Sequence, residues 1–161
     1  MEATVRHRDE GDVSWSLNSL ITTKLDYAES GGAYCLMEHL LTPAANPPRH
    51  VHTDEEEAFY VLDGEIEFEV DGEVSVCTAG SFAFSPRGSA HSFAVLTDTA
   101  RVLVLSSAPQ GAPGGGFPEF VRSVGEPAPA RILPVPQAPD PAAMAAAAAP
   151  HGIELLGPPR S

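Results

Sequence analysis

Between Ser19 and Ser107 apolar and branched residues come in short runs, and turn signals divide them: Gly31-Gly32, Asp63-Gly64, Asp71-Gly72, Ala79-Gly80 and Pro86-Arg87-Gly88. The runs are LITTKLDY, YCLMEHLL, EAFYVL, EIEFEV, EVSVC, SFAFS, HSFAVL and RVLVLSS. Each reads as a short strand bounded by residues that favour tight turns. Eight such strands at this spacing point to an all-β sandwich or barrel.

Alternation says which face is inside. In EIEFEV the acids Glu65, Glu67 and Glu69 share one face and Ile66, Phe68 and Val70 the other, so this sheet is wetted on one side only. RVLVLSS is apolar at consecutive positions, as expected of a strand covered on both faces. A double-layered sheet accommodates both patterns.

Beyond residue 108 the composition changes, with twelve of the sixteen prolines and a hinge-like GAPGGGF at the start. We divide the chain into an N-terminal arm (1–16), a β-barrel (17–107) and a Pro/Ala-rich extension (108–161) with short helices that pack back on the barrel. FPEFVRSVG is expected to be a short helix closed by Gly125. DPAAMAAAAAPHG is expected to be a second, with Asp140 as N-cap, Pro141 at the first helical position and Pro150 and Gly152 ending it. The stretch 126–139 is either an extended linker or without fixed structure.

At 161 residues, 43 % of them apolar, the chain is of single-domain size. A net charge of -13 repels phosphate backbones and anionic lipid surfaces, which argues against nucleic acid and membrane as partners. The first residues lack the apolar core of a signal peptide, and no run approaches the ~18 apolar residues that span a bilayer. Cys35 and Cys77 each lie in an apolar strand and are read as buried thiols, with a disulfide between them as the alternative. Together these features suggest a cytoplasmic protein.

The chemistry lies in HVHTDEEEAFYVLDG, residues 50–64. His50 and His52 point to one face of an extended segment, so both imidazoles can approach one cation. Glu57 opens a strand on which it shares a face with Phe59 and Val61. An unpaired charge is costly there, and a metal ion would offset the cost. A one-residue shift would make Glu56 the ligand instead; Glu55 and Glu56 otherwise read as a solvated turn, and Tyr60 as packing on the opposite face. Downstream, in GSFAFSPRGSAHSFAV, His91 heads a strand that carries Phe93 and Val95 on its face. Three imidazoles and a carboxylate suit one divalent transition metal per chain, Fe, Mn, Ni, Cu or Zn, rather than Ca²⁺ or Mg²⁺. Four protein ligands leave positions open for chemistry. In YCLMEHLL either Glu38 or His39 enters the barrel and contacts substrate, while His7 and His151 sit in polar end segments.

These residues resemble the two motifs of the cupins. The first is Gly, five residues, His-x-His, three or four residues, Glu, six residues, Gly; His50, His52, Glu57 and Gly64 meet its last four positions. The second is Gly, five residues, Pro-x-Gly, two residues, His, three residues, Asn; Gly80, Pro86, Gly88 and His91 meet it. Ala44 replaces the first glycine and Val95 the final asparagine. EEEAFYVLDGEIEF, SFAFSPRGSAHSF and the ending HGIELLGPP further resemble small single-domain cupins of the quercetin-2,3-dioxygenase-like kind. The resemblance implies a jelly-roll double-stranded β-barrel, a homodimer, and a metal inside the barrel held by His50, His52, Glu57 and His91.

Cupins host many chemistries. The leading expectation is a metal-dependent dioxygenase, an oxidoreductase acting on a small aromatic or phenolic molecule, with Glu57 as general base. Phe59, Val61, Ile66, Phe68, Phe82, Phe84, Phe93 and His39 would line its substrate pocket. A non-oxidative metal-dependent cyclase, isomerase or lyase is the second reading, and a non-catalytic small-molecule binder the third.

Overall fold

The computed structural model describes residues 2–110 and 115–159, so the first four residues of the hinge-like GAPGGGF lie outside the described residues. The strands pair antiparallel in two sheets, and side chains of both sheets meet in one core. The first sheet has the spatial order β11 (Glu126–Pro127), β1 (Asp12–Ser16), β2 (Ser19–Leu25), β3 (Tyr34–Leu41), β10 (Ala100–Ser107), β5 (Glu57–Asp63), β8 (Phe82–Ser85). The second runs β12 (Ile153–Pro159), β4 (Pro48–His52), β9 (Ala90–Val95), β6 (Glu65–Val70), β7 (Glu73–Thr78). All eight expected runs lie on strands, and this two-sheet jelly roll is the architecture anticipated.

Turn chemistry sets the registers nearest the site. Asp71 (φ 50°) and Gly72 (φ 90°) form the two-residue connection, both φ positive, that suits the twist of the β6–β7 hairpin. Gly64 between β5 and β6 has φ 80°, and a Cβ there would lie 2.6 Å from the Thr99 carbonyl oxygen, so the chain passes only without a side chain.

Burial follows the period of two with instructive departures. Glu57, Phe59 and Val61 on β5 are buried, as are Ile66 and Phe68 on β6. Glu69, expected on the wetted face, is buried instead, because Arg49 Nε donates to it at 3.0 Å and Ser92 Oγ donates at 3.2 Å. On β10 the expectation of cover on both faces fails: Val102 and Val104 are buried, while Leu105 on the other face is exposed. The central core contains Leu41, Phe59, Val61, Ile66, Phe68, Val95, Val102 and Val104.

The C-terminal part closes over one end of this core. Helix α1 (Gly116–Val124) buries Phe120 and Val121, and Phe117 packs against all three apolar clusters. Helix α2 (Pro141–Ala148) starts as its sequence suggests, with Asp140 Oδ1 accepting from the Ala142 and Ala143 N–H groups. The stretch 126–139 bends at 129–132 and is anchored: Trp15 Nε1 donates to the Ile132 carbonyl at 2.7 Å, and Asn18 exchanges hydrogen bonds with the Gln137 backbone. Among the described residues no helix is long and apolar enough to cross a membrane.

Candidate metal centre

Strand β4 presents His50 and His52 on one face, both buried, with Val51 turned away. Two neighbours hold this strand: β12 sets Ile153 opposite His52 and Leu155 opposite His50, and β9 sets His91 directly opposite His50. Glu57 enters from the other sheet, as the first residue of β5. The ligand atoms of His50, His52, Glu57 and His91 lie within 4.8 Å of one another, so two segments distant in sequence converge as the spacing suggested.

The hydrogen bonds orient the three rings alike. His50 Nδ1 lies 2.7 Å from the Pro48 carbonyl oxygen, and His52 Nδ1 lies 2.8 Å from Glu55 Oε1. His91 Nδ1 lies 3.1 Å from the Ser89 carbonyl oxygen and 2.7 Å from Ser85 Oγ. A carbonyl or carboxylate partner makes Nδ1 the protonated nitrogen and leaves the Nε2 lone pair for the interior. His52 Nε2 is buried without a hydrogen-bond partner. Glu57 Oε2 sits 3.4 Å from His52 Nε2 and 3.3 Å from His91 Nε2, while Oε1 receives Ser106 Oγ at 3.4 Å. Three inward lone pairs and one carboxylate form a set that could hold a divalent transition metal.

Electrostatics agrees. Burial works to raise the Glu57 carboxyl, but His52, then His91 and His50, outweigh it and hold the group at about 2. Burial pushes His50 down to about 3, helped by repulsion from His91 and His52. For His52 burial is outweighed by Glu57 and Glu55, and its pKa rises. An ionised carboxylate therefore sits among imidazoles that cannot all be protonated, and a cation would supply the missing positive charge.

The site opens into a cavity of about 610 Å³. Of the pocket residues expected from sequence, Phe59, Phe93 and His39 line it. Val61, Ile66 and Phe68 do not: they are packed in the core, Phe68 against both Phe59 and Phe93. Phe82 and Phe84 are a correction, at 63 % and 46 % exposure on the outer face of the first sheet. The β5–β8 register pairs Glu57 with Ser85 and Phe59 with Ala83, so the small residues of β8 face inward and its phenylalanines outward. Glu38 is settled too, pairing with Arg101, while His39 is buried with its Nε2 unpartnered and its ring stacked on Phe117 at 6.1 Å. Burial lowers His39 to about 4, which keeps it neutral.

Glu55 overturns the solvated-turn reading. It is 2 % exposed and accepts from His52, from the Phe117 N–H and from the Tyr27 hydroxyl. The remaining wall comes from elements the motifs do not reach, including Leu17 and Ile21, Phe117 and Phe120 of α1, Met144 of α2, and Leu155 of β12. Among the described residues that line the cavity, the four histidines and Glu57 are the only titratable side chains.

Residues 37–107 match the family described as Cupin_2, cupin domain. That match spans a little under half of the chain, and the two-sheet fold agrees with it. The departures from the cupin motifs are accommodated locally: Asn46 Oδ1 receives the N–H of Val95, the residue that stands where the motif has asparagine. In sequence, 56 residues are 38 % identical to quercetin 2,3-dioxygenase of Bacillus subtilis, covering 35 % of this chain and 17 % of that enzyme's length. In structure, the chain is similar to KdgF from a Halomonas species, with TM-score 0.59, 18 % identity and cover of 68 % of this chain and 96 % of that one. It is also similar to the polyketide cyclase RemF of Streptomyces resistomycificus, with TM-score 0.56, 24 % identity and cover of 66 % and 80 %. At these identities the structural likenesses establish the fold.

Proposed function

We propose that His50, His52, Glu57 and His91 hold one divalent transition metal and that the protein is a dioxygenase acting on a small, uncharged aromatic or phenolic molecule. The observation that carries this reading is the pairing of inward donor atoms with a largely apolar cavity whose wall, among the described residues, has no Lys or Arg. An anionic sugar acid would find no Lys or Arg counter-charge among the described lining residues, whereas a flat phenolic ring would bury against Phe59, Phe93 and Phe117. The partial identity to a quercetin 2,3-dioxygenase supports the same substrate class.

A bound metal would polarise the substrate's phenolic oxygen and give dioxygen a route to its electrons. The chain's own groups do the rest. Glu57, ionised at neutral pH, accepts the phenolic proton, and Ser106 Oγ steadies its other oxygen. Neutral His39 hydrogen-bonds a second polar group of the substrate, the partner its Nε2 otherwise lacks. Phe117 covers the ring and excludes water.

The test is oxygen uptake with a panel of flavonols and catechols, joined to mass spectrometry of products formed under ¹⁸O₂. Label in the product supports the reading. Turnover that continues unchanged without oxygen replaces it with a cyclase, isomerase or lyase, for which neutral His39 beside the cavity is the natural proton carrier. Binding without turnover leaves the non-catalytic binder. We further place the protein in the cytoplasm, supported by the two buried, unpaired thiols Cys35 and Cys77. As partner we propose a second copy of the chain on the outer face of the first sheet, where Tyr60, Phe82, Phe84 and Leu105 are exposed together.

A further inference from the structure

The three histidines are held by different kinds of partner. His50 and His91 have backbone carbonyls at Nδ1, and only His52 has a carboxylate. That carboxylate, Glu55, is fully enclosed by groups from three elements. Its Oε1 accepts from His52 Nδ1 at 2.8 Å and from the Phe117 N–H at 2.5 Å; its Oε2 accepts from the Tyr27 hydroxyl at 3.1 Å. Gly116 has φ 75°, and a Cβ there would lie 2.5 Å from Glu55 Oε2, so the backbone that opens α1 is shaped around this carboxylate. One oxygen thus joins a ring of the site to the first turn of the helix that roofs the cavity. The Phe117 ring in turn lies 5.7 Å from the His52 ring, edge on, and stacks on His39.

We infer that Glu55 is a positioning residue: it holds His52 with Nδ1–H outward and Nε2 toward the cation, and it couples metal binding to closure of the Phe117 roof. Removing a carboxylate behind a ligating imidazole typically weakens metal affinity about 10- to 100-fold. The inference rests on the metal reading above, so the probe is the metal itself. In Glu55→Gln the amide oxygen still accepts from His52 and Phe117, and its NH₂ faces the Tyr27 oxygen; geometry is kept and charge is lost. Glu55→Ala loses both.

The experiment titrates Co²⁺ into the chelator-treated parent, Glu55→Gln and Glu55→Ala, reading affinity by chelator competition and coordination by the d–d absorption bands. Hydrogen exchange over 116–124 with and without Zn²⁺ reads the roof. The alanine variant should bind Co²⁺ about 10- to 100-fold more weakly with altered bands, and the glutamine variant several-fold more weakly with the parent's bands. Zn²⁺ should slow exchange over 116–124 in the parent and not in Glu55→Ala. If the alanine variant fails to fold, Glu55→Asp decides, since it keeps the charge but draws the carboxylate back from His52 and Phe117: parental affinity and bands there overturn the positioning role. Equal slowing of exchange in parent and Glu55→Ala overturns the coupling. A parent that takes up no Co²⁺ overturns the metal reading itself, a different outcome from a parent that binds while its variants bind equally well.

Discussion

Replacing His39 with leucine should stabilise the fold while impairing ligand binding. His39 is 6 % exposed and its Nε2 has no partner, and leaving such a group unsatisfied costs about 1–3 kcal/mol. Leucine fills a similar volume beside Phe117 without a polar atom, so at pH 7 the variant should be more stable by about 1 kcal/mol after the lost ring stacking is allowed for. The pH dependence is sharper. Burial holds His39 at about 4 in the folded protein, against 6.5 ordinarily, so the unfolded chain takes up this proton first as pH falls. Stability from the neutral imidazole is complete above pH 6.5 and is lost between there and about pH 4. Linkage puts the loss between pH 7 and pH 5 on the order of 2 kcal/mol. Urea unfolding of chelator-treated parent and variant at pH 7 and pH 5 measures both terms, and the difference between the two proteins isolates His39 from the other histidines. The variant's advantage should grow as the pH falls. A variant less stable at pH 7, with a pH dependence parallel to the parent's, would refute the assignment of His39 as a neutral, unpartnered group kept for a ligand.

Phe59→Ala should cost about 3–5 kcal/mol in urea unfolding, because it empties a buried contact between Phe68 and Phe93. The double substitution Phe82→Ser and Phe84→Ser should instead leave metal uptake unchanged and, in sedimentation, convert a dimer to a monomer; a variant as dimeric as the parent refutes the outer face as the contact. Gly64→Ala places a methyl group against the Thr99 carbonyl at a positive φ and should destabilise by more than about 1 kcal/mol, read as a lowered thermal midpoint; an unchanged midpoint would show that the turn can adjust.

The strands and the four donor residues were legible because each has a local signature. Turn residues mark the strand ends, the His50/His52 spacing fixes a shared face, and a carboxylate at the head of an apolar stripe stands out against its surroundings. What escaped is what pairing across the chain decides. Phe82 and Phe84 read as interior because they are aromatic, yet the register set by Glu57 opposite Ser85 turns them outward, and Ser85 faces in where its hydroxyl meets His91. Glu55 read, with Glu56, as a solvated turn; its burial depends on the Phe117 N–H and the Tyr27 hydroxyl, which arrive from 62 and 28 residues away. The support of β4 by β12 escaped for the same reason, since Ile153 reaches its place opposite His52 from the far end of the chain.

Metal content decides whether His50, His52, Glu57 and His91 hold an ion. Protein purified without added metal, and again after exposure to Fe²⁺, Mn²⁺, Ni²⁺, Cu²⁺ or Zn²⁺ and removal of the excess, should carry one transition ion per chain by elemental analysis, and folded His91→Ala should carry almost none. A folded parent that holds no ion under any of these conditions, or a His91→Ala variant as fully loaded as the parent, would contradict that assignment.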